Sequence, residues 1–222
     1  MNDGLLNMLL NGTLETLYMV LISSIIAFAL GLPIGVLLVV TDKGGIYPLI
    51  KLNKTIGIII NIIRSMPEII LMIVLLPLAK IIVGTTLGTN AAIVSISIGC
   101  TPLIARISEN SLKEVEHGKI EAAEAMGATT FQIIRKVLIP EALPSIIRGM
   151  TIAIIGVVGF TALAGTIGAG GLGSLAIRYG YQRFRTDVLF GTVLTLLVIV
   201  QIIQLLGDIV ARLIDKRRYK FE

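Results

Sequence analysis

Charge is what this sequence has least of. Only 15% of its 222 residues are Asp, Glu, Lys or Arg, against about 25% in an ordinary soluble domain, while 55% are hydrophobic and the mean hydropathy is +0.93. Those proportions exclude the ordinary globular enzyme, the disordered tail and the disulfide scaffold. Cysteine occurs once, at Cys100, so no internal bridge can form, and its place in an apolar run makes it a small buried hydrophobe rather than a reactive thiol. Histidine also occurs once, at His117, with no cysteine beside it, which argues against a metal site. No GxxxxGK[ST] is present, so the chain cannot hold ATP in a P-loop.

What is present in quantity is long apolar sequence. A helix needs roughly 20 apolar residues to cross about 30 Å of hydrocarbon, and five intervals approach that requirement, roughly 14–41, 49–79, 90–107, 149–176 and 187–208. The second is imperfect: Lys51, Lys54 and the cluster Arg64-Ser65-Met66-Pro67-Glu68 interrupt it, so the span is expected to break or kink near Pro67. Gly84 to Asn90 reads as a loop. The segment before Glu15 carries no basic residue and so lacks the first region of a secretory signal; the first span is expected to stay as an anchor. The fold class expected is an all-α integral membrane protein, one domain over residues 1–222.

Basic residues orient it. With the N-terminus outside, 14 of the 19 Lys and Arg fall on the cytoplasmic side, at Lys43, Lys51 and Lys54, at six positions from Arg106 to Arg148, and at five from Arg212 to Lys220. Four fall outside, Lys80, Arg178, Arg183 and Arg185, and Arg64 lies within a span. The bias predicts an N-out, C-in chain. It also explains the net charge of +5 without a nucleic-acid partner.

One cytoplasmic segment, roughly 109–148, is too polar to cross and too apolar for a loose loop. Leu112, Val115, Ile120, Ala123 and Met126 alternate with charged residues, as on a helix lying at a membrane surface or in another protein's groove. Gly127 is expected to stop this helix. A second, short one is expected after Thr129, whose spacing to Gln132 fits a capping box, and to end at Pro140. Ala122 and Ala123 permit close approach, Gly127 permits a turn that a Cβ would resist, and Glu121 offers a carboxylate to a donor on a partner or on the second helix.

Glu121-Ala122-Ala123, three residues, Gly127, nine residues, then Val137-Leu138-Ile139-Pro140 resembles the EAA loop of ABC-importer permeases, whose pattern is EAA, three residues, G, nine residues, I-x-L-P. The register matches without a gap; Val137 replaces the Ile and Ile139 the Leu. Together with the Arg64-Ser-Met-Pro67 break and Gly165-Thr-Ile-Gly-Ala-Gly-Gly-Leu-Gly173, the chain is most similar to the methionine-uptake permeases within that family. The resemblance implies a type I importer fold with coupling helices. It also implies a homodimer in a bacterial cytoplasmic (inner) membrane, two ABC ATP-binding subunits that hold ATP and Mg, and an extracytoplasmic substrate-binding lipoprotein. The cargo implied is methionine, as the L- and the D-isomer, moved by alternating access; the alternatives are another small solute, such as a polar amino acid or osmolyte, and a secondary transporter or channel. The chain itself is expected to be no enzyme and to hold no cofactor. Glu121, Ala122, Ala123, Met126, Gly127, Ala128, Val137 and Pro140 are the expected ATPase-coupling residues.

Two signals point elsewhere. Gly168-Ala-Gly170-Gly171-Leu-Gly173 matches GxGxxG, but it closes an apolar run rather than joining a strand to a helix, so it is no dinucleotide site; close helix packing is expected, with lining of the translocation path as the alternative. Arg64 and Glu68 stand i, i+4 within an apolar segment, where ionisable groups face a partner, an interior or water. Arg64, Ser65, Met66, Pro67 and Glu68, with Gly168, Gly170 and Gly171, are therefore the expected path or dimer-interface residues.

Overall fold

The computed structural model describes residues 3–218, and every regular element among them is helical. Lys220, and the side chains of Lys216, Arg217 and Arg218 counted above for orientation, lie outside the described residues.

Helix α1, Asp3–Val40, exceeds the expected first span at its N-terminal end. Its last four carbonyls, which a helix end leaves without intrahelical donors, all find partners. The Thr41 amide and hydroxyl donate to Leu37 O, Asn53 Nδ2 to Leu38 O (2.6 Å), the Asp42 amide to Val39 O and the Tyr47 amide to Val40 O. The loop after α1 is thus folded back on the helix end. Helices α2, Ile50–Ser65, and α3, Glu68–Val83, occupy the interval read as the second span, and they bend by 110° at the break. Pro67, with no N–H to continue α2, caps α3 at φ −55° and ψ 133°. Gly84, at φ 80°, ends α3 by donating to Lys80 O.

Helix α4, Thr89–Lys113, starts after the expected loop and runs six residues past the expected span end. Helix α5, His117–Ala125, follows, then α6, Thr130–Ile133, a π-helical turn over Ile134–Leu138, and α7, Ile139–Ala164. Here the expectation that the second short helix ends at Pro140 is wrong. The backbone stays helical from Thr130 to Ile167, because the π turn reaches one residue further back: Ile139 donates to Ile134 O. The widened ring accommodates the proline that would clash with a regular preceding turn.

The fourth span was expected to reach residue 176. Instead α7 ends at Ala164 and a 3-10 turn carries it only to Ile167, because Gly168 and Gly170 take φ of 87°, a left-handed backbone that breaks the helix. A separate short helix, α8 (Gly171–Leu175), then leads through a π turn at Ala176–Tyr181 to α9, Thr186–Arg218. Among the described residues, four helices are long and apolar enough to cross a membrane, and a fifth crossing is reached if α2 and α3 count as one broken span. Along α9, Leu194, Leu197, Ile202, Leu205, Ile209 and Leu213 are all more than half exposed at helical spacing. Such an apolar stripe suits hydrocarbon rather than water.

The chain forms two compact units. In the unit of residues 3–27, 66–100 and 154–204, Met19, Met72, Ile96, Cys100, Val157 and Leu172 are buried. In the unit of residues 28–65, 101–153 and 205–218, Leu112, Leu138, Ala142 and Ile146 form one core, against which Leu32, Val36, Val115 and Ile120 pack. Gly31 and Gly35, spaced G-x-x-x-G on α1, set its backbone close to α4 in that unit. A Cβ at Gly31 would meet Thr101 O at 3.0 Å, and one at Gly35 would meet Ala105 O at 2.7 Å.

Candidate functional site

The EAA segment folds into a capped knob. Helix α5 closes in a Schellman motif around Gly127, at φ 77°: the Gly127 amide donates to Glu124 O (2.8 Å) and the Ala128 amide to Ala123 O (3.1 Å). Nothing lies within 4 Å of where a Gly127 Cβ would stand, so the left-handed backbone alone calls for glycine. Thr129 then caps α6 in a full capping box, as its spacing predicted. Its hydroxyl accepts from the Gln132 amide (3.4 Å), and its amide donates to Gln132 Oε1 (2.9 Å). Thr129→Ala should cost about 1 kcal/mol and speed amide exchange over residues 130–133 about fivefold, with Thr129→Ser close to wild type; unchanged exchange in the alanine variant would contradict this role.

Within the knob the alternation of apolar and charged residues is resolved by depth. Ala123, 4% exposed, packs α5 against its own chain, and Ile133 and Leu138 are buried on the returning helix. Ala122, Glu121 and Pro140 are exposed, and Ala128 and Val137 are half-buried. Of the two alanines, therefore, Ala122 is the one left free to meet a partner. Met126 and Phe131 are 81% and 68% exposed on either side of the Gly127 turn, an apolar tip facing outward from a polar knob. His117 Nδ1 lies 3.1 Å from Glu121 Oε1 on the same helix, a pairing the sequence reading did not make. Lys119 ties α5 to α7 through Glu141 at 2.8 Å.

At the Pro67 break, Arg64 ends α2 and Glu68 begins α3, so the two no longer share a helical face, and both are exposed. Ser65 is exposed and donates its hydroxyl to Asn61 O; Met66 is half-buried. Glu68 stands in the first turn of α3, where a carboxylate is favoured by the helix dipole.

The glycine run is a separate place with its own partners. Gly168 O accepts from the Gly88 amide at 3.0 Å. The Gly171 amide donates to Glu15 Oε2 (2.6 Å) and the Leu172 amide to Thr16 Oγ1 (2.9 Å), so two side chains of α1 cap the free amides that open α8. A Cβ at Gly170 would meet Glu15 Oε2 at 2.6 Å, and one at Gly171 would meet Thr16 Oγ1 at 2.7 Å. Gly173 lies against the Ala162 backbone and Gly165 against Gly173 and Ser174. Gly165 and Gly173 thus sit in close backbone contact, whereas Gly170 and Gly171 press against side chains of α1.

A second polar cluster went unread in the sequence. Glu109, 7% exposed, accepts from Arg106 Nη1 at 2.6 Å and from Lys113 Nζ at 2.9 Å. Arg106 Nη2 also reaches Asn61 Oδ1 (2.9 Å), and Lys113 also pairs with Asp42 (2.9 Å). The i, i+3 and i, i+4 spacings about Glu109 were visible; the partners on other elements were not. Hydrogen bonds from Lys113 and then from the Lys43 amide hold the Asp42 carboxyl below the ordinary carboxylate range. The stability Asp42 contributes is thus present above that range and is lost as pH falls through its lowered value.

Span-length helices with lipid-suited faces, joined through a capped knob, are the build of a polytopic membrane protein. The family model described as binding-protein-dependent transport system inner membrane component matches residues 31–220, and the chain belongs to that family. It is 49% identical over 211 residues to the probable D-methionine transport system permease protein MetI of Vibrio cholerae, covering 95% of this chain and 94% of the relative. It is likewise 49% identical over 207 residues to the methionine import system permease protein MetP of Bacillus subtilis, covering 93% of each. Among solved structures, inward-facing conformations of the MetNI methionine ABC transporter match with a TM-score of 0.95 at 44% identity, over 96% of this chain and 99% of that one. An amino acid ABC transporter crystallised with histidines matches with a TM-score of 0.71 at 20% identity, over 95% and 94%, a likeness of fold alone.

Proposed function

We propose that this chain is the membrane permease of an ATP-driven methionine importer, with residues 1–222 forming one permease domain of five spans, N-out and C-in. One observation carries the reading: the EAA register coincides with a Schellman-capped knob whose tip leaves Met126 and Phe131 exposed. An exposed apolar tip on a rigid, well-capped element suits insertion into a groove on a soluble subunit. That subunit is a separate ABC ATPase, two copies of which hold ATP and Mg below a homodimer of this chain. A chain of five spans is small for both halves of a pathway, and closed two-fold symmetry is the commonest way to double it.

Closure of the ATPases around ATP draws the two knobs together and opens the spans outward. A substrate-binding lipoprotein delivers methionine, and hydrolysis restores the inward-facing state. Glu121, Ala122, Met126 and Gly127 with Ala128 form the gripped surface, while Ala123, Val137 and Pro140 seat it on the span. Arg64 to Glu68 and the run Gly168, Gly170 and Gly171 belong to the path or the dimer interface. The near-full-length likeness to proteins named as methionine permeases supports methionine as the cargo.

The test is reconstitution in liposomes with the cognate ATP-binding and substrate-binding subunits. Labelled L- and D-methionine should accumulate with ATP and stop without it, an imposed ion gradient notwithstanding. Uptake that survives ATP depletion, or that prefers an osmolyte or polar amino acid, would overturn the reading. In the same system, Arg64→Ala and Glu68→Ala should each slow uptake; normal transport in both single variants would remove that segment from the path.

A further inference from the structure

A buried carboxylate in a span-length helix is costly, and Glu109 sits in the last turns of α4 with a cation on each side. Were these pairs merely local, they would end on α4. They do not. Arg106 Nη2 donates to Asn61 Oδ1 and to Gly57 O (3.4 Å), both on α2. Lys113 reaches Asp42 in the loop after α1, and Asn53 at the start of α2 donates to Leu38 O and to Thr41 Oγ1 at the end of α1. Helix α1 itself touches the same point, since a Cβ at Gly35 would stand 3.0 Å from Glu109 N. One carboxylate therefore lies where three elements meet, four residues before the end of the helix that leads to α5.

Behind α5 there is open space. A cavity of about 250 Å³ is bordered by Val39, Asp42, Lys113, His117, Ile120 and Glu124. Across that gap, displacement of α5 passes to the helices through Lys119 to Glu141 on α7 and through the short chain segment that joins α5 to the end of α4, where the Glu109 cluster carries it on to α2 and the loop after α1. We propose that Glu109 is a positioning residue for ATP-coupled transport: by holding Arg106 and Lys113 together it makes α1, α2 and α4 follow α5 as one body. The proposal rests on the ATP-driven importer reading above. Without the carboxylate two neighbouring cations lose their shared counter-ion, and the grip on Asn61 and Asp42 slackens although the knob and its tip are untouched.

The experiment uses the whole importer in liposomes and measures uptake and ATP hydrolysis together. For Glu109→Gln, the ATPase should still copurify and hydrolyse ATP within about twofold of wild type, while methionine moved per ATP falls about tenfold. Adding Arg106→Gln should cause little further loss, because the two act as one unit. Asp42→Asn, at a half-exposed site that does not threaten insertion, should lower the ratio about threefold. A wild-type ratio in Glu109→Gln, losses that add in the double variant, or an assembly failure of Glu109→Gln beside a wild-type ratio in Asp42→Asn would each overturn the proposal. Failure of the wild-type complex to couple uptake to ATP is a different outcome; it refutes the importer reading and the proposal with it.

Discussion

Gly173→Ala should be among the most damaging single-methyl additions to this chain. The new Cβ would stand 2.6 Å from Ala162 Cα and 2.8 Å from its carbonyl carbon, and both atoms are backbone rather than the end of a side chain that could swing away. Overpacking typically costs about 1–3 kcal/mol, and a rigid obstacle places this case near about 3 kcal/mol. Gly159→Ala is the matched control, because it lies on α7 with nothing within 4 Å of the added methyl. There the helix propensity of alanine should make the change neutral or stabilising by up to about 1 kcal/mol. Thermal melting of the detergent-solubilised chain checks the pair. A Gly173→Ala midpoint within about 2 °C of wild type would mean that α7 and α8 are not in backbone contact.

The second large effect is functional. Gly127→Pro demands φ near −65° where the chain has 77°, and it deletes the amide that donates to Glu124 O. The Schellman closure cannot survive this, so α5 should lose its fixed angle to α6 while the spans stay inserted. Methionine uptake is expected to fall at least about tenfold with ATP hydrolysis retained. Glu121→Lys should also uncouple the two, by reversing the charge beside His117 on the exposed face of α5. Gly127→Ala offers a graded comparison: in open space it pays only the left-handed backbone, about 1–2 kcal/mol, and should keep part of the activity. Normal uptake in both Gly127→Pro and Glu121→Lys would contradict the coupling role.

What could be read from sequence was what is decided within a few residues. The capping box at Thr129 and Gln132, the stop at Gly127 and the break at Pro67 each depend on neighbours no more than about four positions away, and all three are present. Pro140 misled for the same reason. Its local rule predicts an end to the helix, whereas a π turn five residues long carries the backbone past it. The amide caps from Glu15 and Thr16 to the glycine run join residues 156 positions apart, and Arg106 meets Asn61 across 45. No periodicity announces such partners; they depend on how helices pack. The close approach of Gly31 and Gly35 to α4 went unread, since their spacing names no partner helix.

The lone thiol has a practical consequence. Cys100 is 0% exposed, so reagents that attack accessible sulfur should leave the native chain unmodified. A cysteine introduced at Met126 or Phe131, both well exposed beside the Gly127 turn, would then be the site that takes a spin label or fluorophore, with the wild-type background intact. The motion of the knob during a transport cycle could be followed by spectroscopy without first building a cysteine-free protein.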